Sequence, residues 1–142
     1  MRAVVKDREQ TQDPRESLSR VLRYGIAAIY ASGAVIHTGF ALFRPGIYRP
    51  NADESAFGWV RDAWRTVFLA EPRLWALLLA AGELLIALLL LTRAMLGYVV
   101  VVLFTLSLVL FGWGFLLWSG PFLTAVLLAM ILERKPNDDR QE

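Results

Sequence analysis

Leu74–Leu91 is an apolar run of 18 residues broken by one charge, Glu83. As a helix it rises about 27 Å, close to the hydrocarbon thickness of a bilayer. In lipid every backbone N–H and C=O must be satisfied within the spanning structure, so a run like this confines the chain to packed helices. A carboxyl group near a bilayer centre costs roughly 2.5–3.5 kcal/mol even on lenient insertion scales. Glu83 is therefore expected to face the bundle interior, either neutral or paired with a cation or hydrogen-bond donor.

The rest of the composition agrees. Hydrophobic residues make up 56% of the 142 and mean hydropathy is +0.47, too apolar for an ordinary soluble domain and fitting a single membrane domain. Cysteine is absent, which excludes disulfides, thiolate metal sites, iron–sulfur clusters and cysteine nucleophiles. A single histidine excludes multi-histidine metal sites and a haem held by two histidines of one chain. The formal charge is +2, but Lys and Arg are spread over the tails and one connector rather than gathered in a groove, so no nucleic-acid partner is expected.

Along the chain, residues 1–19 are polar and mixed in charge and read as a flexible tail with a short helical start near Ser17, too charged for a secretory signal. Residues 20–135 form the membrane domain and 136–142 a second tail. The first span, about 24–43, is rich in small residues (Gly25, Ala27, Ala28, Gly33, Ala34, Gly39, Ala41), which let a membrane helix approach its neighbours closely. Arg44-Pro45-Gly46 ends it. In the connector, Phe57, Val60, Trp64, Val67 and Phe68 recur at helical spacing opposite Arg61, Asp62 and Arg65. This predicts an amphipathic helix over about 52–70, lying at the membrane surface or packed on the outer mouth of the bundle. Spans two and three follow at 74–91 and 95–118, joined by a tight turn at Thr92-Arg93. Ser119-Gly120-Pro121 is expected to break the chain before a short fourth span, 120–134. The fold expected is an all-α, four-transmembrane-helix bundle with a surface helix between helices 1 and 2.

The basic residues set a topology. Arg2, Lys6, Arg8, Arg15, Arg20, Arg23, Arg93, Arg134, Lys135 and Arg140 fall on one side, and Arg44, Arg49, Arg61, Arg65 and Arg73 on the other. The positive-inside rule then places both termini in the cytoplasm, and the membrane is expected to be a bacterial cytoplasmic one.

His37 lies six residues before the end of span one and Glu83 nine after the start of span two. Their depths, roughly 9 Å and 14 Å, are similar on antiparallel helices. Three readings of a His37–Glu83 pair stay open: a polar clasp fixing helix register, a contact to a quinone or lipid, and a proton-transfer pair. Arg44 and Trp113 join them as candidate ligand-binding residues. Tyr24, Tyr30, Tyr98 and Trp118 suit an aromatic pocket or, equally, interfacial belts and packing. Phe111-Gly112-Trp113-Gly114-Phe115 is expected within span three, where its glycines permit close approach of a ring, lipid or helix.

Two resemblances follow from these residues. His37 with Arg44-Pro45 seven and eight positions on, and Gly33 four before, resembles the cofactor segment of bacterial light-harvesting antenna polypeptides. That resemblance implies His37 as an axial ligand to bacteriochlorophyll or haem. More broadly, Gly82-Glu83 through Thr92-Arg93, the first helix with Gly33 and Arg44-Pro45, the long outer connector and the short last helix resemble the DoxX-like family of small four-helix bacterial membrane proteins. Where many members carry a lysine late in helix one, this chain has His37. The family implies a membrane-embedded bundle linked to quinone-coupled sulfur oxidation or oxidative-stress complexes. The expected function is a small accessory subunit of a larger respiratory or redox complex, with no catalysis by this chain alone. The alternative is a quinone- or lipid-binding redox component centred on Glu83 and His37. Expected partners are membrane lipids and other membrane subunits, or a second copy of the chain.

Overall fold

The computed structural model describes residues 14–134, apart from the side chains of Trp113 and Leu116. Those residues fold into helices, with no strand among them. Helix α1 runs Pro14–Phe43, α4 Pro72–Thr92, α5 Ala94–Leu108 and α6 Trp113–Glu133; the connector between α1 and α4 holds α2 (Pro50–Glu54) and α3 (Gly58–Ala63). Helix α1 and α4, together with α5 extended through Phe111, are long and apolar enough to cross a membrane. Helix α6 carries a shorter apolar stretch, Leu117–Glu133.

Helix α4 shows how a nearly all-apolar sequence still chooses a face. Ala76, Ala80, Glu83, Ile86, Ala87 and Leu90 are buried at three- and four-residue spacing. Leu77, Leu78, Leu84, Leu85, Leu88 and Leu91 point outward, where lipid rather than water suits them. Three alanines therefore go inside with Glu83, Ile86 and Leu90, and most of the leucines go outside. Ala41 meets Ala76 in one cluster, while Ile26 and Ala27 share another with Ile86, Ala87 and Leu90. Helices α1 and α4 are thus antiparallel over their whole apolar length.

The opposite end of α1 is held to α6 by an ion pair, Arg23 Nη1 to Glu133 Oε1 at 2.7 Å. Beside it, the wholly buried Tyr98 of α5 lies within the field of both charges. An apolar layer of Ile26, Ile86, Val101 and Val126 separates this end from the centre of the bundle.

Three boundaries differ from the sequence expectation. Helix α1 begins at Pro14, three residues before the helical start expected near Ser17, and runs unbroken into the first apolar span; residues 1–13 and 135–142 lie outside the described residues. The connector is not one amphipathic helix over 52–70. It is a 3-10 turn (Pro45–Tyr48), the short α2 and α3, and a π turn (Trp64–Phe68). Ser55 leaves helical geometry with ψ 131°, and the same segment is tied to the α5–α6 turn through Ala56 N–H donating to Leu110 O.

The third difference is the break between the last two helices. It falls at Gly112, not at Ser119-Gly120-Pro121, and Pro121 lies inside α6. A membrane helix tolerates proline where neighbouring groups re-satisfy the freed backbone. Gly112, with φ 121° and ψ 178°, occupies a region that side chains avoid. A Cβ there would also collide with the Glu54 carbonyl oxygen. Helix α6 is consequently 21 residues long, about 32 Å of rise, rather than a short remnant. Gly112→Ala should lower stability by about 1–3 kcal/mol with helical content preserved, read as a fall in the thermal midpoint of the detergent-solubilised protein. An unchanged midpoint would mean that the turn is not held by this contact.

Candidate functional site: a buried carboxylate beneath an aromatic cap

Glu83 sits on the inward stripe of α4 and is 7% exposed. Opposite it on α1 stands Gly33. A Cβ built at that position would lie 2.6 Å from Glu83 Oε1 and 2.9 Å from Oε2. The missing side chain is therefore the slot in which the carboxylate rests. One turn further along α1, His37 Nε2 is 3.7 Å from Glu83 Oε1. The other carboxylate oxygen, Oε2, is buried without a hydrogen-bond partner.

The second ring nitrogen of His37 engages the connector: Nδ1 lies 2.6 Å from the Tyr48 hydroxyl. The two rings also stack, 5.8 Å apart and 20° from parallel. One tautomer serves both contacts. With the proton on Nε2, the imidazole points a donor at Glu83 and accepts at Nδ1 from the Tyr48 O–H. Tyr48 lies outside the spans, and burial, with Glu83's charge adding to it, pushes its phenol up to about 12. It stays a neutral donor. Glu83, His37 and Tyr48 are therefore consecutive polar groups, His37 hydrogen-bonded to Tyr48 and 3.7 Å from Glu83.

Above this chain the connector forms a cap. The Trp64 indole N–H donates to Tyr48 O at 2.9 Å. The π turn lays Trp64 flat on Phe68, with centroids 3.8 Å apart and planes 10° from parallel. Phe68 meets Tyr48 edge-on, and Phe111 of the α5–α6 turn meets Trp64 at 4.9 Å. On the surface, Arg65 Nη2 donates to Asp53 Oδ1 at 2.5 Å, joining the π turn to α2.

Two cavities meet at Glu83. The outer, about 390 Å³, lies beneath the cap and is bounded by His37, Tyr48, Trp64, Phe68 and Phe111. The other, about 500 Å³, lies between α1 and α6 against Tyr30, Gly33, Trp118 and Phe122. Glu83, Phe104 and Leu108 line both. Ile29, Ile36 and Trp118 at the second cavity's rim are exposed, so it opens sideways between α1 and α6. Among the described lining residues Glu83 carries the one formal charge. Tyr30, 3.5 Å from Thr105 Oγ1, closes the cavity on the side of the apolar layer.

The sequence-derived residues fare unequally. The structure brings His37 and Glu83 together. Arg44 is exposed at the end of α1 and lines neither cavity. The side chain of Trp113 lies outside the described residues. Trp118 and Tyr30 line the lateral cavity, whereas Tyr24 is exposed beneath the Arg23 guanidinium and Tyr98 is buried at the far end. Both His37 nitrogens face protein partners, so axial ligation of a pigment or haem gains no support from its geometry. Among the described residues no group of three or more His, Asp or Glu is placed to hold a metal ion. Sequence reasoning missed Tyr48 and Phe104 as parts of the site, and Gly33 as the carboxylate's slot. Gly33, one turn before the only histidine, was the available signal; Tyr48 offered none. Set against protein-family models, curated proteins and solved structures, the chain matches none of them significantly.

Proposed function

We propose that this is a small multi-pass membrane protein that takes an amphipathic ligand from the lipid phase. The ligand's polar end is received by Glu83, His37 and Tyr48, and its apolar part lies in the lateral opening between α1 and α6. One observation carries this reading: an almost fully buried carboxylate with an unpartnered oxygen lies where two cavities meet, one of them opening between α1 and α6. A packing clasp would have no use for that space. A quinone or a lipid is a ligand of suitable form, and a place among DoxX-like proteins, with a fourth span in α6 and both termini in the cytoplasm of a bacterium, belongs to the same reading. The 21-residue length of α6 supports the fourth span, and the distribution of basic residues supports the orientation.

The test is mass spectrometry of small molecules extracted from protein purified gently from its native membrane. Wild type should carry a near-stoichiometric amphipathic molecule. Gly33→Leu, whose side chain would enter the wall between the cavities, should lose most of it. Wild type recovered empty would overturn the proposal.

A second reading, an accessory subunit of a larger membrane complex, rests on a different observation. Gly25 and Ala28 of α1 face outward, and nothing lies within 4 Å of where a Gly25 Cβ would be. Small outward residues suit close packing of another helix. Larger subunits recovered at a fixed ratio in the same purification would favour this role, and the two readings are compatible.

A further inference from the structure

The kind of ligand follows from what the cavity contains and lacks. Among the described residues no lysine or arginine lines either cavity, so none of them is in place to answer Glu83. His37 Nε2 is 3.7 Å from Glu83 Oε1, and the other nitrogen of that ring is hydrogen-bonded to Tyr48. Oε2 is buried and unpartnered, and an acceptor left so in a low-dielectric site is costly until a donor or positive charge meets it. The walls of the outer cavity are mostly rings, Tyr48, Trp64, Phe68, Phe104 and Phe111 among them. Ring faces attract cations and are indifferent to neutral carbonyls. A quinone headgroup would need free donors; those of His37 and Tyr48 are turned to Glu83 and to each other and Ser107 donates to Phe104 O, which leaves the Asn51 amide among the described lining residues.

We propose that the site binds a lipophilic organic cation, its positive centre against the Glu83 carboxylate and its apolar substituents on the aromatic walls. This rests on the lipid-phase ligand reading above and narrows it to one charge class. The outer cavity, at about 390 Å³, is within the range of small-molecule sites. The lateral opening lets a molecule that partitions into the membrane reach the carboxylate without crossing the polar surface.

The experiment uses the full-length protein in lipid nanodiscs and equilibrium dialysis against three probes: tetraphenylphosphonium, neutral triphenylphosphine oxide and the neutral quinone decylubiquinone. Tetraphenylphosphonium should bind saturably at one site per chain and the neutral probes should not. Glu83→Gln should weaken its binding by at least about tenfold. The comparison of charged and neutral probes on wild type needs no variant, so the outcome does not depend on the variant's folding. Equal binding of cation and neutral isostere, or unchanged cation binding in folded Glu83→Gln, would overturn the cation assignment. Saturable binding of decylubiquinone alone would overturn it while leaving the lipid-phase ligand site standing. No saturable binding of any probe to wild type, in protein that also purifies without a bound amphiphile, would overturn both.

Discussion

Glu83→Leu is expected to make the protein more stable, raising its thermal midpoint in detergent by a few degrees. The carboxylate is buried, one oxygen has no partner, and the other meets only an imidazole at 3.7 Å. Leucine has a similar volume and would fill the Gly33 slot with methyl groups. Replacing buried ionic groups by well-packed apolar ones is often neutral or stabilising, by about 1–4 kcal/mol. The loss on the other side is small, because His37 keeps its hydrogen bond to Tyr48. Differential scanning fluorimetry on the tryptophans provides the readout. A clear fall in the midpoint would assign Glu83 to holding α1 and α4 together, and the ligand-site reading would lose the observation that carries it. Glu83→Gln should sit between the two, close to wild type. A residue that costs stability and is nevertheless there is what a binding site requires.

The Arg23–Glu133 pair predicts the opposite sign. Glu133→Gln leaves a half-buried guanidinium facing a neutral amide and the unpartnered Tyr98 hydroxyl. Breaking a fully buried pair costs about 3–5 kcal/mol. Here each side chain is about a fifth exposed, 21% and 22%, so solvent screening reduces the expected loss to about 1–3 kcal/mol. Arg23→Met should cost a similar amount. The double variant Arg23→Met, Glu133→Leu should be more stable than either single one, since neither charge is left alone. A double-mutant cycle on thermal midpoints decides it. Strictly additive losses would show that the two charges are uncoupled and that the contact contributes nothing to closing α1 against α6. Because the pair joins residues 110 apart in sequence, its loss should also open the lateral cavity and raise the exchange of amides in α6.

Much of the bundle is written in local sequence. The apolar runs give the spanning helices, and Thr92-Arg93 between two such runs leaves room only for a tight turn. The pairing of His37 with Glu83 follows from counting residues from the ends of two antiparallel spans, because depth in a membrane helix is a linear function of position. That both residues are polar in lipid gives them a reason to meet.

What the sequence does not contain is equally specific. Gly112 rather than Ser119-Gly120-Pro121 turns the chain between α5 and α6, because a glycine's positive φ is set by where Glu54 of the distant α2 lies. A proline break and a proline inside a helix look alike until the neighbours that shelter the freed carbonyl are known. The connector's helical spacing is real, yet Ser55 and the π turn divide it, since its ends are fixed by α1 and α4 and its middle by Leu110. Tyr48 enters the site through the same constraint: its hydroxyl reaches His37 only because the 3-10 turn after Arg44 folds back over the end of α1. The sequence by itself determined the first two long apolar helices and the two polar residues, His37 and Glu83, that they bring together. Only the tertiary structure decided what surrounds those two, because cavities and aromatic caps are made by segments far apart in the chain and no local period encodes the space between them.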